Sequence, residues 1–186
     1  MKNCLTLIIA LLIFGGSAIA QDGDDAPIDR KNTLKANPLG LIIGIGKINY
    51  ERKLGTHSSV QLGASYFSYT SDGSGISGLG LVPEYRFYVT GDAIGGFYLA
   101  PFAKYNALTL KDNDSRGTVS WYSGGAKAGF QWIMGKKETF VMDLAFGGKY
   151  SDFNLRVKEG AESDFDNTDL FEGFSPELHF AIGFAF

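Results

Sequence analysis

The stretch HFAIGFAF, residues 179–186, decides the fold because two kinds of side chain alternate strictly along it. Small residues and His179 occupy every second position. The positions between them carry large apolar side chains: Phe180, Ile182, Phe184 and Phe186. A period of two is typical of a β-strand whose two faces meet different surroundings. An apolar strand that finishes the chain on an aromatic residue is unusual for a soluble protein, so we ask what surrounds each face.

The beginning of the chain predicts export. Lys2 precedes a short apolar run over 5–14, and the residues at 18–20, Ala-Ile-Ala, fit the small-residue cleavage pattern of a secretory signal. We therefore interpret residues 1–20 as a cleaved signal peptide and the polar residues 21–32 as a flexible periplasmic leader. The single cysteine, Cys4, precedes the apolar run, so the mature chain is expected to have neither disulfides nor thiolate metal sites.

The remaining residues, 33–186, predict one all-β domain. The chain contains 25 glycines, 15 phenylalanines and 9 tyrosines, a composition that favours many short strands over helices. After the signal peptide no apolar run reaches the roughly 20 residues of a membrane-spanning helix, so only strands would cross a membrane. The formal charge of −3 provides no basic face for nucleic acid, which we exclude as a partner.

Short and long connections alternate along this domain. Segments 54–58, 90–96 and 134–138 are brief, whereas the polar segments 71–78, 111–117 and 151–169 are mostly longer. Membrane barrels have this pattern, with short periplasmic turns, longer external loops and an even number of strands. The number is even here if residues 34–54 form a hairpin that turns at Gly44 and Gly46. The sequence therefore predicts an eight-stranded antiparallel up-and-down transmembrane β-barrel.

The two faces of the predicted strands differ in size. The interior of an eight-stranded barrel is only just wide enough for side chains to fill it, so the bulky face is predicted to meet lipid. The opposite face mixes small residues with charges of both signs, and buried charges persist only when they are paired. We predict that they close the lumen as a polar network of Asn37, Glu51, Glu84, Arg86, Lys104, Lys127, Asp143, Glu177 and His179, with Lys35, Asn49, Gln61, Gln131 and Lys149 on the same face.

Two prolines fall inside predicted strands. Proline removes a hydrogen-bond donor from the strand ladder and is normally confined to edges or bulges. A turn near Asp92 would bring Pro83 and Pro101 almost opposite one another. We therefore expect a bulge shared by both strands.

Three stretches and the last residue carry a family resemblance. They are LKANPLG (34–40) and INYERKLG (48–55), where Asn37 and Glu51 fall at the family's first-hairpin positions, then LVPEYRFY (81–88) and Phe186. The chain resembles the small OmpA/OmpX-type outer-membrane barrels, and more closely the Bacteroidota-type outer-membrane barrel family of unknown function. The resemblance implies a Gram-negative-type cell outer membrane location, in contact with membrane lipid and lipopolysaccharide, but implies no activity and no cofactor. Phe186, together with Phe184, resembles the signal that the barrel-assembly machinery recognises.

A catalytic interpretation rests on three residues of the last strand. Ser175, Glu177 and His179 share the inward face, and these residue types can form an activated nucleophile. An ordinary lumen network explains them better, because such polar stacks fill small barrels. Barrel lipases present histidine and serine toward lipid, whereas the position two after His179 is Ala181. We expect no enzyme; a lipid A-modifying or lipid-hydrolysing barrel and a narrow channel remain the alternatives.

The longest polar connection is acidic and is predicted to lie outside the cell. Loops on a rigid scaffold often carry recognition, so we expect a membrane or extracellular protein partner to contact residues 154–169. Three of its aspartates lack the spacing and the glycine of a calcium loop, so we predict no metal site. The predicted partner-binding residues are Glu159, Glu162, Asp164, Asp166 and Asp169.

Overall fold

The structure, a computed structural model, describes residues 30–42, 44–71, 74–112, 115–135, 139–156 and 173–186. These residues form a closed barrel of eight antiparallel strands in which each strand pairs with the next along the chain. The predicted all-β, eight-stranded, up-and-down architecture is therefore confirmed. The strands are β1 (Asn32–Ala36), β2 (Ile45–Gly55), β3 (Ser58–Ser71), β4 (Ser74–Tyr88), β5 (Gly96–Asp112), β6 (Ser115–Met134), β7 (Phe140–Arg156) and β8 (Gly173–Ala185).

The barrel closes where β8 meets β1. Thr33 pairs with Ala185 and Ala36 with Ile182. Phe186 extends the pairing, because its amide donates to the carbonyl of Asn32 (2.9 Å) and its own carbonyl accepts from the amide of Asn32 (3.0 Å). Strand β1 begins one residue before the predicted domain start at 33. The predicted signal peptide, residues 1–20, lies outside the described residues, as does most of the predicted leader.

Segment 34–54 forms two strands, as predicted, but they are joined by a short helix, α1 (Pro38–Ile42). Pro38 occupies the first helical position, where its fixed φ suits the helix and its missing N–H costs no hydrogen bond. Gly44 turns the chain with φ 81°, whereas Gly46 already lies within β2. In the described part of the chain, no helix has the length and apolar character needed to cross a membrane.

The connections define two ends of the barrel. The connections β2–β3, β4–β5 and β6–β7 lie at one end, together with residues 30 and 186; we call it the turn end. The opposite end, the loop end, carries α1 and the connections β3–β4, β5–β6 and β7–β8. The prediction of long loops at 71–78 and 111–117 is wrong, because Ser71 pairs with Ser74 and Asp112 pairs with Ser115. Strand pairing needs only backbone partners, so the ladder continues through polar residues.

The two prolines do not create the predicted bulge. Pro83 and Pro101 do lie close together across β4 and β5, but the described pairs keep one register on both sides of them, with Leu81 opposite Tyr105 and Glu84 opposite Phe102. Only the ladder bonds are interrupted, because proline cannot donate. A constant register keeps every side chain on its face.

The two faces of the sheet follow the predicted division. Large apolar side chains point outward and remain exposed, among them Leu62, Leu81, Phe87, Leu99, Tyr122, Leu144, Phe146 and Phe184. The inward positions are mostly polar and almost completely buried, including Lys35, Asn49, Glu51, Glu84, Arg86, Lys127, Gln131, Asp143 and His179. The barrel is thus apolar outside and ionic inside, the reverse of a soluble globular protein.

Candidate functional site

The most heavily buried ionic group lies nearest the turn end, and we call it the deep layer: Lys35, Glu51, Arg86, Gln131 and Asp143. These side chains come from five strands: β1, β2, β4, β6 and β7. Because side chains alternate between the two faces of a strand, all five point into the barrel and toward one another. The ammonium of Lys35 lies 2.7 Å from Glu51 Oε2 and 2.8 Å from Asp143 Oδ2. Each of these charged side chains is 0% exposed. Charges buried to this extent must be compensated locally.

Arg86 connects the deep layer to the rest of the interior. Its Nη1 donates to Asp143 Oδ2 at 2.8 Å, and its Nε donates to Glu84 Oε1 at 2.7 Å. Its guanidinium carbon lies 4.2 Å from the ring centre of Tyr98, a cation–π geometry. Gly129 gives this ring its space, because a Cβ there would stand 2.7 Å from the tyrosine hydroxyl. One side chain therefore bridges two layers and is held in one orientation.

Hydroxyl groups donate further hydrogen bonds to the two carboxylates of the deep layer, Glu51 and Asp143. The hydroxyls of Tyr88 and Ser59 both donate to Glu51 Oε1 at 2.6 Å. The hydroxyl of Tyr98 donates to Asp143 Oδ1 at 2.6 Å. Both carboxylates therefore accept hydrogen bonds on both oxygens, which compensates the loss of water.

The β4–β5 connection packs into the turn end of the barrel. Ala93 and Ile94 are buried, and Ile94 packs with Val141 and Ala185 across the barrel. Its carbonyl accepts a hydrogen bond of 2.6 Å from Gln131 Nε2. Ile94 has φ 73°, a region that β-branched residues rarely occupy, so the surrounding contacts fix this turn. Ala93 and Ile94, which we call the apolar cap, therefore pack beside the deep layer at the turn end.

A second group, the middle layer, lies beyond Arg86 and consists of Gln61, Glu84, Lys127 and His179. Lys127 Nζ lies 2.7 Å from Glu84 Oε2, and Gln61 Nε2 donates to the same oxygen at 3.3 Å. His179 Nε2 lies 3.4 Å from Asp143 Oδ2 in a geometry that makes no hydrogen bond. This layer is charge-balanced, with one cation, one carboxylate and a histidine buried against them.

The third group, the outer layer, faces the loop end and comprises Lys47, Lys104, Lys149 and Glu177. Lys149 Nζ lies 2.6 Å from Glu177 Oε2, and Lys104 Nζ lies 3.6 Å from Glu177 Oε1. These three side chains are 20%, 21% and 13% exposed, in contrast to the deep layer. Solvent therefore reaches the interior from the loop end as far as this layer.

Most of the predicted network comes together. The structure places these eight predicted members in the three layers: Glu51, Glu84, Arg86, Lys104, Lys127, Asp143, Glu177 and His179. Asn37 is different, because its Oδ1 accepts from the amide of Gly40 at 3.0 Å and so caps α1. Sequence reasoning missed Lys47, Tyr88 and Tyr98. Their inward parity was readable in the sequence, because Lys47 shares it with Asn49, Tyr88 with Arg86, and Tyr98 with Lys104.

The other predicted residues lie apart from the interior. Phe184 and Phe186 are exposed on the outer wall at the turn end. Glu159, Glu162, Asp164, Asp166 and Asp169 lie outside the described residues, and β7 extends to Arg156, past the predicted start of that loop. The described ranges contain no group of three or more histidine, cysteine, aspartate or glutamate side chains arranged to hold a metal ion.

Two of the three β8 residues that could form an activated nucleophile, Glu177 and His179, contact other side chains. Glu177 is engaged by Lys149 and Lys104, and the carboxylate nearest His179 is Asp143. A nucleophile would require its histidine and acid to act on the same hydroxyl. The pairs of Glu177 lie within the outer layer, whereas His179 and Asp143 join the middle layer to the deep layer.

Fold and interior together define the chain as a small closed β-barrel with an ionic core. The chain belongs to the family described as "Protein of unknown function (DUF3575)", whose model matches residues 5–165. This match includes β1 to β7 and ends before β8. Searches of curated proteins and of solved structures found no match.

Proposed function

We propose that this protein is an integral outer-membrane β-barrel with a closed polar lumen and that it has a structural or interaction role through the connections at its loop end. One observation carries the proposal: a single closed sheet exposes its apolar side chains outward and buries its charges inward. In water, a barrel with polar side chains outside and apolar side chains inside would be the more stable arrangement. A lipid bilayer stabilises the arrangement seen here, with apolar side chains outside. The resemblance to small OmpA/OmpX-type barrels and to the Bacteroidota-type family supports the same location.

The outward apolar surface is large. Leu79, Phe146 and Leu178 are each about two-thirds exposed, at 64%, 65% and 66%. Soluble monomers rarely expose contiguous apolar patches of more than a few hundred Å². Seven of the eight strands contain 11 to 20 residues, and roughly 9 to 11 residues suffice to cross a bilayer at the usual tilt. The dimensions of the barrel therefore fit a membrane.

Aromatic side chains gather at two levels of the outer wall. Near the turn end, the rings of Phe130 and Trp132 lie 4.7 Å apart. Closer to the loop end, the rings of Tyr105 and Tyr122 lie 4.9 Å apart. Outer-membrane barrels have such aromatic girdles at both membrane interfaces, separated by an apolar band. We infer that the bilayer lies between these levels and that the turn end is periplasmic.

The closed lumen is inferred from the deep layer and its cap. Glu51, Arg86 and Asp143 are each 0% exposed, and the buried Ile94 lies between them and the turn end. Moving an ion past this region would require breaking buried ion pairs, each worth several kcal/mol of desolvation. We therefore propose a closed interior in place of a channel. We also propose that the chain is not an enzyme, because its interior carboxylates are engaged by lysines and an arginine.

Contacts with partners are proposed for the outer wall and the loop end. The wall would contact membrane lipid and lipopolysaccharide, and Phe186 with Phe184 would engage the barrel-assembly machinery during biogenesis. The acidic connection that contains Glu159, Glu162, Asp164, Asp166 and Asp169 would contact a membrane or extracellular protein.

Membrane fractionation tests the proposed location. We expect the mature chain to co-sediment with outer membrane and to migrate differently in detergent gels before and after boiling, because a closed strand ladder resists detergent until heated. Recovery of the chain in the soluble periplasmic fraction would contradict the proposal.

Planar-bilayer recording tests the proposed closure on the same purified material. We expect no stable conductance, since the deep layer leaves no path for ions. A lasting ohmic channel would favour the narrow channel as the function.

A further inference from the structure

The three layers of the interior differ in net charge. In the deep layer, Lys35 and Arg86 balance Glu51 and Asp143, and in the middle layer Lys127 balances Glu84. The outer layer contains three lysines and one carboxylate, Glu177, so it carries a net charge of +2 (3 − 1). The excess positive charge of the lumen is therefore confined to the one layer that solvent reaches.

Lys47 contributes the uncompensated part of this charge. Its side chain lies in the interior beside Gly63, where the ammonium interacts electrostatically with Lys104 and Lys127 and with the carboxylates of Glu177 and Glu84. Glu177 is already bound by Lys149 at 2.6 Å and approached by Lys104 at 3.6 Å. Among the described residues, no carboxylate forms an ion pair with Lys47. A cation in this position attracts an anion from solution.

Two amide groups beside the outer layer add hydrogen-bond donors that the described chain does not use. Asn49 is 1% exposed, and its Nδ2 has no hydrogen-bond partner. Asn106 Nδ2 is also buried and without a partner. An unsatisfied buried donor is costly, so a native protein normally supplies an acceptor for it.

Glycines leave room for these amides. A Cβ at Gly63 would stand 2.7 Å from Asn49 Oδ1 and 3.6 Å from Lys47 Cε. A Cβ at Gly80 would stand 2.8 Å from Asn106 Oδ1. Gly63 and Gly80 lie on the adjacent strands β3 and β4, and the side chains of Asn49, Ser65 and Asn106 occupy the space beside them. The two glycines therefore let the amides that carry the unused donors lie against the interior wall.

We propose that the outer layer is a binding site for a phosphate group, held by Lys47, Lys104 and Lys149 with the amides of Asn49 and Asn106. A phosphate carries roughly −1.5 to −2 charge near neutral pH, which compensates the net charge of the layer. Its oxygens accept hydrogen bonds from all these donors, and lysine binds phosphate as a compact point charge.

The phosphate group has two possible sources, free phosphate compounds or the phosphates of lipopolysaccharide. The assignment of the loop end to the cell exterior rests on the proposed function, whereas the binding site itself does not. Binding by detergent-solubilised barrel therefore tests the site alone, and its failure is distinguishable from failure of the proposed membrane location.

Isothermal titration of the folded full-length protein with inorganic phosphate, in a phosphate-free detergent, tests the site. Replacing Lys47 with methionine (K47M) should weaken binding at least about tenfold, because it removes one charge-assisted contact without leaving a carboxylate unpaired. The matched control is K53M, which removes the same charge about 20 Å away along β2. This distance is roughly two Debye lengths at 0.1 M salt, so K53M should change the phosphate affinity by less than about twofold. Heat-modifiability of each variant establishes that it is folded.

A second variant keeps the test decisive if K47M does not fold. Replacing Asn106 with leucine (N106L) removes one donor at nearly constant volume and should weaken binding about three- to tenfold. Competition by lipopolysaccharide, but not by its dephosphorylated form, would assign the lipid as the source, and absence of competition would assign free phosphate compounds.

Two results would overturn the proposal. The first is the absence of phosphate binding to folded wild-type protein, or equal binding by wild type, K47M and N106L. The second is binding that occurs only after residues 158–166 are replaced by a Gly-Ser linker. In that case the natural counter-charge would be the acidic segment of the chain itself.

Discussion

Replacing Arg86 with methionine (R86M) tests whether the interior charges form one interdependent network. Arg86 is 0% exposed and contacts Glu84, Asp143 and Glu51 at 2.7, 2.8 and 3.4 Å. After the change, Glu84 retains Lys127, but Glu51 and Asp143 share the single cation Lys35. The deep layer thereby gains one uncompensated negative charge.

The expected loss is large because this charge is isolated from water. Removing one partner of a buried ion pair typically costs about 3 to 5 kcal/mol. The contact between Arg86 and the ring of Tyr98 is lost as well, which adds roughly 0.5 to 2 kcal/mol. We therefore expect R86M to lower the free energy of unfolding by at least about 3 kcal/mol.

A double variant separates charge imbalance from lost packing. Adding D143N to R86M restores neutrality, because Lys35 keeps Glu51 at 2.7 Å and the asparagine oxygen can still accept from the hydroxyl of Tyr98. The double variant should regain about 1 to 3 kcal/mol relative to R86M, a coupling typical of contacting residues. Packing loss alone would give no such recovery.

Urea unfolding in lipid vesicles measures these differences through the shift in midpoint at constant slope. The control is R52M, which makes the same chemical change at an exposed outward position and should alter stability by less than about 1 kcal/mol. Equal losses in R86M and R52M would refute the buried network. A double variant less stable than R86M would refute its dependence on charge balance.

Three further predictions concern the middle layer, the last residue and the acidic connection. Replacing Glu84 with alanine should destabilise the barrel by a few kcal/mol, because Lys127 loses its partner at 2.7 Å; unchanged urea midpoints would contradict this. Replacing Phe186 with lysine should reduce the amount of assembled barrel in outer membrane, whereas F186L should not; equal levels of both variants would place the assembly signal elsewhere. Replacing residues 158–166 with a short Gly-Ser linker should preserve heat-modifiability, since closure entropy changes slowly with loop length, but should abolish binding of a protein that co-purifies with wild type. Retained binding would assign the contact to another surface.

The sequence predicted the strand number and the two faces because both depend on backbone geometry. Side chains of a strand alternate regardless of neighbours, so the parity of Glu84, Arg86 and Asp143 is readable without a structure. The inward face could be chosen by side-chain volume, because the interior of an eight-stranded barrel cannot hold the large apolar side chains of the other face. The predicted network omitted Tyr88 and Tyr98, because small residues beside them, such as Gly129 and Ala145, leave space that only the assembled barrel reveals.

Features that depend on closure were beyond the sequence. Ala93 and Ile94 lie in a turn between polar residues and glycines, and nothing local indicates that the turn folds into the barrel. The missing bulge at Pro83 has the same origin, because the neighbouring strands hold the register on both sides of the interruption. The lengths of the β3–β4 and β5–β6 connections were overestimated because polar composition was equated with loops, although backbone pairing tolerates it.

The two tryptophans of the chain report directly on which face of the barrel meets lipid. Trp132 lies at an outward position of β6 and stacks with the exposed Phe130, whereas Trp121 has the inward parity of Ser123 and Lys127. Variants that retain one tryptophan each, W121F and W132F, would be folded into bilayers containing lipids brominated along their acyl chains. We expect strong quenching of Trp132 fluorescence in W121F and little quenching of Trp121 in W132F. Equal quenching of both, or quenching of neither, would contradict a barrel that spans the membrane with its apolar face in lipid.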